Sequence, residues 1–270
     1  RLIRAIPDRH GAANQGQGCF KGKFGMDFVN HPERPKRPQV RRDGTLEEVS
    51  WHEVLDIVAE RLAEHKGGEY ALIASPRGTN EDNYVAQKFA RVVMRSNNVD
   101  VSSNLRPELV EPLAELLGYP AATNSIWELE RSSCLLVVSS NMTEEQNVVA
   151  VPIKMAVKSG AALIVIDQRE TELASRASVW LRPRPGTEAV LVEGMVRVIL
   201  DESLDDHKFL ADRCEGVDEL KNSLWTIDLI RVSEVTGIPQ EQVQAAARLI
   251  AGSSPCAFLY GLETLEPERR

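Results

Sequence analysis

Two short runs, CLLVVS at 134–139 and ALIVID at 162–167, show no alternation of polar and apolar residues, and the segment between them has helical periodicity over 143–158 and stops at Gly160. A strand that is apolar at every position has no side it can turn to water, so both of its faces must be covered. Parallel strands meet that demand, because the helix that carries the chain back for the next strand lies against the sheet. The sequence therefore reads as α/β, a parallel sheet flanked by helices. SVWLRP at 178–183 and CAFLYG at 256–261 supply further strands, and helices over 187–202, opened by Thr187, and 239–251, opened by Pro239, supply the covering layer.

The first hundred residues are less regular. RLIRAI at 1–6 reads as a short strand, and 8–18 as a polar, glycine-rich loop leading to Cys19. The proline-punctuated stretch 31–44 is expected to be extended and to cross between elements. Ser50 and Glu53 form a capping-box pattern opening a helix with Val54, Leu55, Val58 and Leu62 on one stripe, stopped by Gly67-Gly68. Tyr70–Ser75 is expected as a buried strand, and Asn80–Arg95 as a helix turning Tyr84, Val85, Phe89, Val92 and Val93 inward. The acidic run 201–206 (DESLDD) is the one plausible break inside the α/β body, and there is no internal repeat.

Composition excludes some functions. The net charge of −8 argues against a general binder of nucleic acid or of anionic membrane, and no apolar run is long enough to span a bilayer. The charge is uneven: residues 1–42 hold ten Lys or Arg against three Asp or Glu, a basic head that reads as a solvated arm against an acidic surface. Cys19, Cys134, Cys214 and Cys256 are too scattered for a disulfide framework or a self-contained metal site, so a reducing, cytoplasmic setting is expected. The chain begins at Arg1 with no initiator Met or leader and reads as an internal fragment of a longer protein.

In an open parallel sheet a ligand lies beyond the carboxyl ends of the strands, near helix N-termini that favour anions. Three strand ends carry suitable residues. Ser139-Ser140-Asn141-Met142-Thr143 places short hydroxyl and amide side chains where a phosphate would sit, although Ser140, Asn141 and Thr143 would serve equally as helix caps. Asp167-Gln168-Arg169 offers a carboxylate and a guanidinium where a ribose diol or purine edge would sit. Arg182–Glu188 brings a rigid backbone, Gly186, and a carboxylate, Glu188, suited to accept from the N1 and N2 groups of guanine. Helix-start chemistry also accounts for Thr187 and Glu188. No Gly-x-Gly-x-x-Gly fingerprint is present, which disfavours ordinary NAD binding. Cys19 alone is one thiol, and an iron–sulfur cluster needs about four cysteine ligands.

NQGQGCFKGKFGMDF at 14–28, HPERPKRP, RRDG and SWHEVLDIVAERL resemble the start of prokaryotic molybdopterin oxidoreductases, and most closely formate dehydrogenase large subunits. The resemblance continues through SPRGTNEDNYVAQKFARVVMRSNNVD, TNSIWELE, the stretch from Ser139 to Ala174, and LRPRPGTEAVLVEGM. It implies a 4Fe-4S cluster with Cys19 as its last ligand, Lys21 between cluster and pterin, and molybdopterin guanine dinucleotide, with Mo or W, in the loops just described. Ser140, Asn141 and Glu144 would lie near the phosphates, Asp167 and Arg169 at the nucleoside, and Gly186, Thr187 and Glu188 at the guanine. The family usually has Asp where Glu188 stands. The resemblance further implies residues 1–45 as the end of a 4Fe-4S domain with an extended connector, and 46–270 as the pterin-dinucleotide region. Formate would be the small-molecule substrate, and iron–sulfur or NADH-oxidising subunits the partners.

One departure bears on catalysis. Formate dehydrogenases place the metal-binding Cys or selenocysteine and the catalytic His where Arg106 and Pro107 align here, so no catalytic residue is assigned. A guanidinium cannot replace a soft thiolate on the metal. The chain is thus also similar to the large iron–sulfur subunit of respiratory complex I, which keeps the fold without molybdenum chemistry, and a plain nucleotide-binding domain is a third reading. Arg106→Cys in the whole protein is expected to increase molybdenum or tungsten retention measured by elemental analysis. Unchanged retention would show that more than this one ligand differs.

Overall fold

The computed structural model describes residues 2–101, 107–119 and 121–261. The first part of the chain forms α1 (Phe20–Phe24), α2 (Asp27–Asn30), β1 (Gln39–Arg42), β2 (Thr45–Glu48), α3 (Trp51–Ala63), β3 (Leu72–Ala74), α4 (Asn80–Lys88), β4 (Val99–Val101) and α5 (Pro107–Leu117). The second forms β5 (Cys134–Val138), α6 (Met142–Glu145), α7 (Asn147–Lys158), β6 (Ala162–Ile166), β7 (Val179–Leu181), α8 (Glu188–Asp201), α9 (His207–Arg213), α10 (Val217–Leu224), α11 (Leu229–Thr236), α12 (Gln240–Ala251) and β8 (Cys256–Tyr260). Two compact units result: one built mainly of residues 26–111, the other of residues 4–25 and 112 onward. The acidic run 201–206 does not divide the α/β body, since the chain on both sides of it lies in the second unit. No helix among the described residues is long and apolar enough to cross a membrane.

The second unit contains a four-stranded sheet in the order β7-β6-β5-β8, parallel throughout. Every residue of β5 is buried, as the absence of alternation requires. Successive side chains of β5 and β6 leave on opposite faces. Leu136, Val138, Ile164 and Ile166 join Leu181, Leu191, Met195, Val198, Val232 and Val243 on the side of α8, α11 and α12. Leu135, Val137, Leu163 and Val165 join Met142, Ala150, Ile153 and Ala156 on the side of α6 and α7. Each fully buried aliphatic side chain here stabilises the fold by about 1.5–3 kcal/mol. Close approach on the first side depends on Gly194 of α8, where an added Cβ would stand 2.9 Å from a methyl of Val232.

The helix expected over 143–158 is two helices, because the backbone leaves helical values at Gln146. The strand expected at 1–6 is absent: the described residues there pair with no partner strand. Stretch 31–44 does form an element, because Gln39–Arg42 pairs antiparallel with Thr45–Glu48 around Asp43-Gly44, both at positive φ.

The first unit departs further from expectation. Ser50 Oγ accepts from the Glu53 N–H, but the Glu53 carboxylate meets the guanidinium of Arg42 at 2.5 Å instead of closing the capping box. The helix stops at Ala63, ahead of the two glycines, which form a short 3₁₀ turn. Strand β3 is not buried: among the described strands it pairs only with β4, and Ile73 is 74% exposed. Tyr84, Val85, Phe89, Val92 and Val93 are likewise exposed, and Ala90 and Met94 are buried in their place. A π-helical turn at Phe89–Val93, closed by Met94 N–H to Phe89 O, adds a residue and shifts the helical phase beyond it, where Met94 is buried.

Ile164→Ala is expected to destabilise the chain by about 2–5 kcal/mol, because a fully buried side chain is lost from the middle of the sheet. Ile73→Ala is expected to shift stability by less than about 0.5 kcal/mol. Urea denaturation of the two variants checks both, and equal effects would contradict the assignment of the core to the β5–β6 layer.

Candidate functional site

In a parallel sheet all carboxyl ends emerge along one edge, and the register makes that edge level here: Val138 is opposite both Ile166 and Tyr260, and Ile166 is opposite Leu181. The loops beginning at Ser139, Asp167, Arg182 and Gly261 therefore leave side by side. Hydrogen bonds extend the sheet one step beyond the strands, with Ser139 N–H to Ile166 O, Gly261 N–H to Val138 O and Asp167 N–H to Leu181 O. The Trp180 indole N–H also donates to the Asp167 carbonyl at 2.9 Å. Ser139 is held at φ +44, a strained conformation for a residue with a Cβ. Gly261 is needed where it stands, since a Cβ there would lie 2.1 Å from the Ser139 carbonyl oxygen.

Ser140, Asn141, Asp167 and Glu188 are all buried at this edge. Capping does not account for them. Asn141 occupies the N-cap position of α6 without a capping bond, and its Oδ1 instead accepts from the Thr143 hydroxyl at 2.9 Å. Thr187 at the N-cap of α8 makes no capping bond either, because its hydroxyl donates to the Arg184 carbonyl at 2.7 Å. Glu188 sits in the first turn of α8, where the helix dipole favours a carboxylate. Its Oε1 accepts from Gln168 Nε2 at 2.7 Å, joining the second loop to the third. Gly186 takes φ +77 in the turn before it.

Asp167 is the most informative residue. Its Oδ1 accepts from the Arg169 N–H at 2.8 Å and lies 3.7 Å from the Arg169 Nε, whereas its Oδ2 is buried and has no hydrogen-bond partner. A buried acceptor without a donor costs about 1–3 kcal/mol, more when charged. A ligand hydroxyl or N–H would supply what is missing. The two buried carboxylates of this edge can only accept, so the part of a ligand resting on them must donate, as a ribose diol or a guanine edge does.

The remaining sequence-predicted residues are exposed. Arg169 and Glu144 lie at the rim, with Glu144 in the first turn of α6. The loop after Arg169 is tied back to α7 by Lys154 and Glu172 at 2.8 Å, and that hydrogen bond holds the Glu172 carboxyl below its ordinary range. Cys19 is the N-cap of α1, its Sγ accepting from the Gly22 N–H at 3.2 Å, and Lys21 is exposed in the same turn. A backbone donor on sulfur suits a metal-bound thiolate. Among the described residues no group of three or more His, Cys, Asp or Glu is arranged to hold a metal ion, so Cys19 would need further ligands. Cys134 and Cys256 face each other at the opposite end of the sheet, where the neighbouring Cys134 thiol and burial push the Cys256 thiol up. Arg106 lies outside the described residues.

Sequence reasoning assigned no part to Gln168, Trp180, Arg184 or Gly261. Gln168 carried no local signal, because its partner is twenty residues away. Arg184 secures the third loop by donating to the carbonyls of Glu234 and Val235 at the end of α11.

The family model for the molybdopterin oxidoreductase matches residues 34–254. The alpha subunit of F420-dependent formate dehydrogenase 1 from Methanococcus maripaludis is 34% identical over 260 residues, covering 96% of this chain and 39% of that protein. Formate dehydrogenase H from Escherichia coli is 36% identical over 274 residues, covering 97% of this chain and 38% of that protein. Among solved structures, acetylene hydratase from Pelobacter acetylenicus superposes with a TM-score of 0.71 at 24% identity, over 92% of this chain and 35% of that one, a likeness of fold. The chain thus spans well under half the length of the relatives it matches.

Asp167→Asn keeps an acceptor for the Arg169 N–H and replaces an unpartnered anionic oxygen with a neutral amide. The urea midpoint of the ligand-free chain is expected to stay the same or rise. A loss of more than about 1 kcal/mol would mean that the carboxylate stabilises the loop without a ligand.

Proposed function

Because this chain belongs to the molybdopterin oxidoreductase family, we propose that it binds the guanine dinucleotide form of molybdopterin along the carboxyl edge of its parallel sheet, as part of a formate dehydrogenase-like enzyme. The observation that carries the reading is the buried Asp167 Oδ2 without a donor, in line with buried Ser140, Asn141 and Glu188 on adjoining strand ends. Such an edge fits a nucleotide: Ser140 and Asn141, with Glu144 at the rim, would lie along the phosphates. Asp167 and Arg169 would hold the nucleoside, and Gly186, Thr187 and Glu188 the guanine. The chain's own residues do the binding and orienting. When bound, the pterin would supply the dithiolene sulfurs that carry Mo or W, the centre at which two-electron oxidation of a small substrate such as formate takes place.

Cys19 would ligate a 4Fe-4S cluster, with its Sγ polarised by the Gly22 N–H and with Lys21 beside it, the other thiolates coming from outside this chain. Residues 1–45 would then end the cluster domain, and 46–270 would hold the pterin dinucleotide. Iron–sulfur or NADH-oxidising subunits are the partners such a cluster would serve, in a cytoplasmic setting that keeps the four cysteines reduced. Arg106, in place of a thiolate, favours a second reading: an electron-transfer or structural subunit of the complex I type that keeps the fold without substrate turnover.

Purified anaerobically, the whole protein is expected to contain iron and a guanine-bearing pterin, detected by elemental analysis and by chromatography of the released cofactor. Cys19→Ser is expected to abolish the paramagnetic signal of the reduced cluster while the pterin content stays the same. Iron without pterin would support the second reading, and a protein with neither would overturn both.

A further inference from the structure

We infer that Gln168 is a positioning residue that sets base selectivity at the sheet edge, by holding the Glu188 carboxylate in place for a guanine-type pair of donors; this rests on the nucleotide reading above. Gln168 follows directly on Asp167, is half-buried, and donates from Nε2 to Glu188 Oε1 at 2.7 Å. Glu188 is buried in the first turn of a helix, on a long side chain with several torsions, so without a partner its carboxylate has other directions open to it, solvent among them. The bond from Gln168 removes that choice. A carboxylate offers about four lone-pair sites, and Gln168 uses one of them, leaving the rest for a ligand.

What the ligand must present follows from the charge. A fixed carboxylate only accepts, so it favours a base edge with adjacent donors, the ring N–H and exocyclic amino group of guanine. Hypoxanthine keeps the ring N–H and lacks the amino group. Adenine turns a bare ring nitrogen to the same place, and two acceptors face to face repel. That penalty holds only while the carboxylate cannot swing away, so rejection of the wrong base depends on the group that restrains Glu188 as much as on Glu188 itself.

The test is isothermal titration of GDP, IDP and ADP into the full 270-residue chain, with Gln168→Met, which keeps the side-chain length and removes the donor. The parent is expected to bind GDP more tightly than IDP, and IDP more tightly than ADP. Gln168→Met is expected to weaken GDP about tenfold, with a smaller loss for IDP and none for ADP, as loss of one hydrogen bond to a charged group predicts. On a Glu188→Ala background the same substitution should have no further effect on any of the three. A uniform loss across the three nucleotides, or a loss that persists without Glu188, would overturn the inference and leave Gln168 as a plain link between loops. A parent that fails to prefer GDP over ADP would overturn the nucleotide reading and the inference with it, an outcome visible before any variant is made. Thermal melting accompanies each titration, and Gln168→Ala carries the same comparison should the Met variant not fold.

Discussion

Burial of β5 and β6 on both faces is the constraint from which the rest of the second unit follows. Leu135 and Val137 face one layer of helices, and Leu136 and Val138 the other, so neither layer can be removed without exposing apolar strand to water. Helices on both sides require crossovers, crossovers make the strands parallel, and parallel strands all end along one edge. The polar residues gathered at that edge are there because the core directs the chain to them. In this sense the site is a by-product of how the sheet is covered, and its precision is inherited from the packing beneath it.

Polar groups at the edge are organised by a different rule. Backbone donors and acceptors of the loops are largely satisfied within the fold, by bonds such as Ser139 to Ile166 and Trp180 to Asp167. The side chains are satisfied only in part. Asn141 and Thr187 decline the capping roles their positions offer, and one oxygen of Asp167 goes without a partner. Together with the left-handed Ser139, these are costs a fold would shed if stability alone governed the loop. They are concentrated at one edge of the sheet.

Much of this was legible in the order of residues. Fully apolar runs at 134–139 and 162–167 give the parallel sheet, and hydroxyl, amide and carboxylate residues just after them give the candidate site. The failures share a cause. The stripe of the segment after Asn80 reads as inward because its residues are apolar, yet it is exposed both ahead of and within the π turn at Phe89–Val93, which breaks the constant phase that a periodicity argument assumes. β3 reads as buried because its residues are apolar, yet burial depends on how many strands and helices are present to cover it, and among the described residues there is one strand partner, β4. The role of Gln168 was hidden because hydrogen bonds between loops are set by where the sheet delivers them.

By itself the sequence determined the class of the fold, the family and the identity of the residues at the strand ends, because these depend on local patterns of apolar and polar side chains and on motifs read in order. Tertiary structure alone decided that the strands before Ser139, Asp167 and Arg182 end level, that Gln168 meets Glu188 across twenty residues, and that one oxygen of Asp167 is left without a donor. The reason is geometric: strand register and burial are properties of chain segments brought together from a distance, and no local stretch of sequence carries them.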